Sequence, residues 1–244
     1  MKRFLLFSLW IVFACNGMGV VAADYSVGSF LLRPLHESFF ESHTNLVFPD
    51  VLGEFRKSRV SINQNLQIGT TIRYLNEAGD SADVYVYSTD EKGKIEDMTD
   101  EKVKAVFEKS VNAIVSLPKQ SSSVLSVERL SDDVGKNQAV AACSAVFRLK
   151  LKDETLYSIL TIFGYQGMFL KIRVSCDASA DDAVADSRKF VSAVLQLVAD
   201  AWQKEKSAAE TAQKKFVPDK NGKKVSEEVN RQPPKQAESV QKPL

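Results

Sequence analysis

The segment from Leu156 to Cys176 constrains this chain more than any other stretch, because two alternating apolar runs meet at Gln166-Gly167, a two-residue turn pair. Such a turn pairs Tyr165 with Met168, Phe163 with Leu170, Ile159 with Val174 and Tyr157 with Cys176, which sets apolar side chains on one face. A three-residue turn at Asp153 to Thr155 extends that face to a third strand, pairing Leu149 with Ile159, Ala145 with Phe163 and Cys143 with Tyr165. The opposite face carries Leu156, Leu160, Ile162 and Phe169 among Ser158, Lys171 and Arg173, so it needs partial cover. The expectation is an antiparallel sheet with helices packed on it, on both faces.

The remaining segments supply those parts. Gln67 to Leu75 and Ala82 to Ser88 alternate around Glu77-Ala78-Gly79-Asp80 and predict a hairpin. Further strands are predicted over Ser123 to Leu130 and Ala139 to Leu151. Asp100 to Leu117 carries Val103, Val106, Phe107, Val111, Ile114 and Val115 at helical spacing, with Thr99 as cap and Pro118 as stop. A last helix opens at Ser179, with Asp182 three residues on, and buries Phe190, Val191, Val194, Val198 and Trp202. The fold class is therefore α+β, a single domain over residues 47–203, and no repeat recurs at a fixed period. The order of elements is compatible with the Mog1/PsbP-like fold as an analogy.

The ends differ in kind from this centre. Lys2 and Arg3 precede the apolar run Phe4 to Ala14, and Val21-Ala22-Ala23 supplies small residues, so residues 1–23 read as a signal peptide. Gly17 and Gly19 break the run short of the ~20 apolar residues of a membrane span. An alternative is set by Val12-Phe13-Ala14-Cys15, which resembles a bacterial lipobox; Cys15 would then be lipidated and anchor the protein. Residues 24–46 form an N-terminal segment. From Lys204 to Leu244 the composition turns to Lys, Glu, Gln, Ala and Pro, a tail that buries too little surface to offset its ordering entropy. Both readings of the N-terminus place the mature protein outside the cytoplasm, periplasmic or secreted after signal cleavage and a membrane-anchored lipoprotein in the alternative.

Thirty-two Lys and Arg oppose thirty-one Asp and Glu, which argues against nucleic acid as a partner. The tail is basic, about +4, and the centre correspondingly acidic. His36 and His43 are the two histidines; seven residues apart, they stand roughly 10 Å apart along a helix, too far for one metal ion. No G-x-S-x-G elbow, P-loop or dinucleotide spacing occurs, so no cofactor is implied. Cys143 and Cys176 lie inside apolar strand faces, and the predicted register sets them roughly 27 Å apart, beyond disulfide reach.

Phe48-Pro49-Asp50-Val51-Leu52-Gly53-Glu54-Phe55-Arg56, with Ile72-Arg73-Tyr74 and Ala82-Asp83-Val84-Tyr85-Val86-Tyr87, resembles an uncharacterised family of exported bacterial proteins. The resemblance implies export and a single α+β domain, and it assigns no activity. The residues point to a non-enzymatic module that binds an envelope protein or polymer; the alternatives are a carboxylate-dependent hydrolase acting on envelope material and a small-ligand carrier. The candidate surface is the outward face of the first hairpin. Setting Ile72 and Tyr74 opposite Val84 and Val86 requires a five-residue loop, Glu77 to Ser81, and turns Thr71, Arg73, Tyr85 and Tyr87 outward together. An Arg beside two Tyr rings suits partner binding. The competing expectation is that a helix covers this face and Arg73 merely stacks on Tyr85.

Overall fold

A computed structural model describes residues 37–90, 99–120, 123–137, 140–179 and 182–215. Residues 1–36, which include the expected signal peptide, Cys15 and His36, and the residues beyond 215 lie outside the described residues. The elements run β1 (Phe39–Glu41), β2 (Leu46–Phe48), β3 (Val51–Leu52), β4 (Phe55–Ile62), β5 (Thr70–Leu75), β6 (Ser81–Tyr87), α1 (Asp100–Val115), α2 (Leu117–Gln120), β7 (Val124–Asn137), β8 (Val140–Leu151), β9 (Thr155–Tyr165), β10 (Met168–Asp177) and α3 (Ala183–Lys215). Strands β1 and β2 pair with each other; the other eight form one antiparallel sheet in the order β3-β4-β5-β6-β10-β9-β8-β7. The fold is α+β, an antiparallel sheet with helices packed on it.

Each face of this sheet carries an apolar core, and a different helix packs on each. Phe190, Val194 and Val198 of α3 pack on Phe55, Ile72, Tyr74, Val84, Leu170 and their neighbours. Val103, Phe107, Val111 and Ile114 of α1 pack on Phe147, Leu149, Leu160, Ile162 and Phe169, with Tyr87 at the margin. In α1 the Thr99 hydroxyl accepts from the Lys102 amide at 3.4 Å, as the cap position requires. Pro118 does not close the helical path: it sits in the first turn of α2, where its missing N–H has no helical partner to lose. Val115 is exposed, off the buried stripe.

The β9–β10 register is the predicted one, from Tyr165 opposite Met168 to Tyr157 opposite Cys176. The β8–β9 register is not. Leu149 lies opposite Leu156, Ala145 opposite Leu160 and Cys143 opposite Ile162, a shift of three residues. An odd shift exchanges faces, so Ala145, Phe147 and Leu149 join the α1 core while Ala142 and Val146 join the α3 core. The cause is a tighter turn in which the Leu151 amide donates to the Glu154 carbonyl at 2.8 Å. Cys143 and Cys176 are free thiols, and they take opposite faces of the sheet.

Three boundaries also move. The hairpin β1–β2 buries Phe39, Leu46 and Phe48 in the α3 core, so the domain begins ahead of residue 47. Helix α3 starts at Ala183, with the Asp186 amide donating to the Asp182 carbonyl, while the Ser179 amide instead donates to the Asp177 carboxylate. It continues past Gln203 to Lys215 although the composition there is that of the tail. The chain divides at this point into two units, Met1–Gln203 and Lys204–Leu244; within the second, residues 204–215 are helical. Trp202 is 43% exposed and lies off the buried stripe.

Candidate functional site

The α1 face is covered unevenly, and the uncovered part holds the candidate residues. Helix α1 packs on β7, β8 and β9. Along β10 the side chains are buried on both faces from Met168 to Leu170, then alternate with half-buried Lys171, Arg173 and Ser175. Beyond that switch the face is polar across β4, β5, β6 and β10.

Pairing orders these side chains into rows. Arg59 lies opposite Arg73, Arg73 opposite Asp83 and Asp83 opposite Arg173, so one row crosses four strands with about 4.8 Å between neighbours. The next row is Ser61, Thr71, Tyr85 and Lys171. The third holds Tyr87 and Phe169. Polarity therefore falls along the strands, from guanidinium through phenol to the apolar α1 core.

Asp83 organises the first row. Arg73 donates from Nε to Oδ1 at 2.7 Å and from Nη2 to Oδ2 at 2.8 Å, a bidentate fork that occupies both carboxylate oxygens. The Asp83 side chain is 8% exposed and that of Arg73 31%. This fork raises the Arg73 guanidinium further above its ordinary range, against the opposing effect of burial. The Tyr85 hydroxyl points at Asp83 Oδ2 at 3.5 Å, and burial with that nearby charge pushes its phenol up to about 12. Lys171 Nζ lies 4.4 Å from the Tyr85 ring centroid and 5.5 Å from that of Tyr87. Arg173 Nε reaches Ser158 Oγ at 3.4 Å.

Of the three residues predicted for this surface, Arg73 and Tyr85 belong to it, but they are not opposite each other. The hairpin loop is Asn76 to Asp80 rather than Glu77 to Ser81, so the register slips by two: the face is kept and each partner changes. Tyr85 lies opposite Thr71, and Arg73 is forked to Asp83 rather than stacked on Tyr85. Tyr87 does not belong to the open surface. It is 6% exposed, tilted on Phe169 with ring centroids 5.8 Å apart, because it stands where α1 begins its cover. Asp83, Lys171, Arg173 and Arg59 were missed. The alternation of Asp83 with Tyr85 was a usable signal; the pairing of β6 with β10 joins distant segments and left no local trace.

The other reactive side chains are committed to structure. Glu41, 1% exposed, accepts from His43 Nδ1 at 2.8 Å, the Thr44 amide at 2.9 Å and the Thr44 hydroxyl at 2.6 Å, which locks the β1–β2 turn. Burial pushes the thiols of Cys143 and Cys176 up, away from the thiolate a nucleophile needs. Lys57, buried on β4, donates to the Glu37 carbonyl, and desolvation lowers its ammonium pKa. Among the described residues no three His, Cys, Asp or Glu side chains converge as a metal site, and no helix is long and apolar enough to cross a membrane. A scan against protein-family models and a search of curated proteins find no match to this chain.

Proposed function

We propose that this chain is an exported, non-enzymatic binding module of the bacterial cell envelope, and that it engages an envelope protein or polymer through the open sheet surface centred on Arg73, Tyr85 and Arg173. The observation that carries this reading is the row Arg59, Arg73, Asp83, Arg173 beside the α1 core. Burying a carboxylate and pairing it with an arginine gives little net stability, and apolar residues in its place would serve the sheet as well or better. A fold that keeps such a row gains from it elsewhere, and ligand recognition by guanidinium forks is the gain this chemistry offers. A paired-carboxylate hydrolase suits the surface less well, because both oxygens of Asp83 are held by Arg73.

The Lys2-Arg3 start, the apolar run and the small residues up to Ala23 support export, as does the resemblance to exported bacterial proteins. Intact mass of the exported protein separates cleavage after Ala23 from a diacylated species that begins at Cys15. For the binding surface, a photoreactive side chain placed at Thr71 should give an adduct in envelope fractions that a probe at Lys189 does not. Arg173→Glu should abolish that adduct. Identical adducts from both positions, or an adduct indifferent to Arg173, would sink the proposal.

A further inference from the structure

We infer that the ligand of this surface is a linear anionic glycan, a polysaccharide that carries carboxylate groups, laid across β4, β5, β6 and β10 along the arginine row. The inference rests on the binding reading above and names its partner.

Charge sets the sign of the ligand. Arg73 and Arg173 flank a single carboxylate, Asp83, and Arg59 and Lys171 stand in the same two rows. Arg73 commits Nε and Nη2 to Asp83, and Arg173 commits Nε to Ser158. Of five donors on each guanidinium, the Nη1 edge of Arg73 and both Nη groups of Arg173 are left for a ligand among the described residues. Asp83 also fixes Arg73 in place, so the outer edge of its fork is preorganised and loses little rotamer freedom when an oxyanion arrives.

Hydrogen-bonding character sets the class. Protein interfaces draw their energy from large apolar anchors that fill pockets. No exposed large hydrophobic side chain stands in these two rows; Phe40, Val47, Ile68, Leu125, Leu130 and Trp202 all lie elsewhere. The non-ionic members of the second row are hydroxyls instead, Ser61, Thr71 and Tyr85; on the other side of the arginines Ser81 lies opposite Ser175, with half-buried Leu75 beside it. A row of hydroxyls beside a row of guanidiniums matches a chain of sugar hydroxyls and carboxylates. The Arg73 and Arg173 backbones are two strand spacings apart, about 10 Å, so successive charges of an extended polymer can reach both.

The test is calorimetric titration of the exported protein with polygalacturonate, with dextran as the neutral polymer and polyglutamate as the acidic peptide. Polygalacturonate should bind, at least tenfold more weakly in 500 mM than in 50 mM NaCl, and neither control polymer should match it. Arg173→Gln should weaken binding about tenfold and Arg173→Lys less, while Lys189→Gln on the exposed surface of α3 should bind as the parent does. A melting temperature within a few degrees of the parent shows that each variant is folded. Polyglutamate binding as tightly would overturn the glycan in favour of an acidic protein, and an equal loss in Lys189→Gln would reduce the effect to net charge. No binding of polygalacturonate while the Thr71 adduct persists would overturn this inference and leave the binding module standing. Loss of both would overturn the two together.

Discussion

Asp83 is the residue on which the open surface depends, and its environment makes the consequences of substitution asymmetric. Arg73→Met leaves a carboxylate that is 8% exposed without its fork, and should lower stability by about 2 kcal/mol in urea denaturation. Arg73→Met with Asp83→Val should recover most of that loss, because no buried charge then remains. Tyr85 gives a second signature. Its folded phenol holds its proton up to about 12, whereas the unfolded chain releases it near 10, so this contribution is complete below pH ~10 and lost as pH rises toward 12. Stability measured across that window should fall, and Tyr85→Phe should make the fall shallower by on the order of 1 kcal/mol. The sequence made half of this legible. Alternation fixed which face Arg73 and Tyr85 share, and a two-residue slip preserves that parity; the identity of the partner is lost in the same slip, so Asp83 was passed over.

At the scale of elements, turns decide what alternation leaves open. Strands β9 and β10 are apolar on both faces, and the glycine turn at Gly167, φ 72°, sets the β9–β10 register. The connection from β8 to β9 carries no glycine or proline to mark its length, and reading its turn as longer than it is sent every β8 side chain to the wrong face. The helices were easier, since four buried residues of α1 recur at three- and four-residue spacing. Two glycines show how differently turns can depend on one residue type. Gly69 has φ +65°, and a Cβ there would lie 2.0 Å from the Val86 carbonyl oxygen, in the backbone of the neighbouring strand. Gly79 has φ +92° with nothing within 4 Å of such a Cβ. Gly79→Ala should therefore cost about 1 kcal/mol, the strain of its backbone alone. Gly69→Ala forces β5 and β6 apart as well, and should cost more than about 3 kcal/mol, seen as a melting temperature lower by ten degrees or more.

Among the described residues of the first unit, the eight-stranded sheet is shared by two cores, with Phe190 in one and Phe107 in the other. Each substitution to Ala should cost about 3–4 kcal/mol, and the two losses should add to within about 0.5 kcal/mol, since the side chains lie on opposite faces and share no neighbour in their clusters. Marked non-additivity in chemical denaturation would mean that the sheet carries strain from one face to the other. That two helices are needed was readable from the apolar residues on both faces of β9 and β10; which helix takes which face was not, because it depends on where β6 meets β10. The crossing of those assignments has a temporal consequence. The four-stranded run β3 to β6 is followed by α1, which covers β7, β8 and β9, while β7 to β10 is followed by α3, whose Phe190 packs edge-on against Phe55 and Tyr74 of the first run. Helix α1 thus covers strands that follow it, and α3 reaches back over the first run as well as over β8, β9 and β10. A chain emerging N-terminus first therefore holds an unsealed meander until its last helix arrives, and acquires its native state in one late, topologically demanding event, on the order of milliseconds to seconds, rather than by halves.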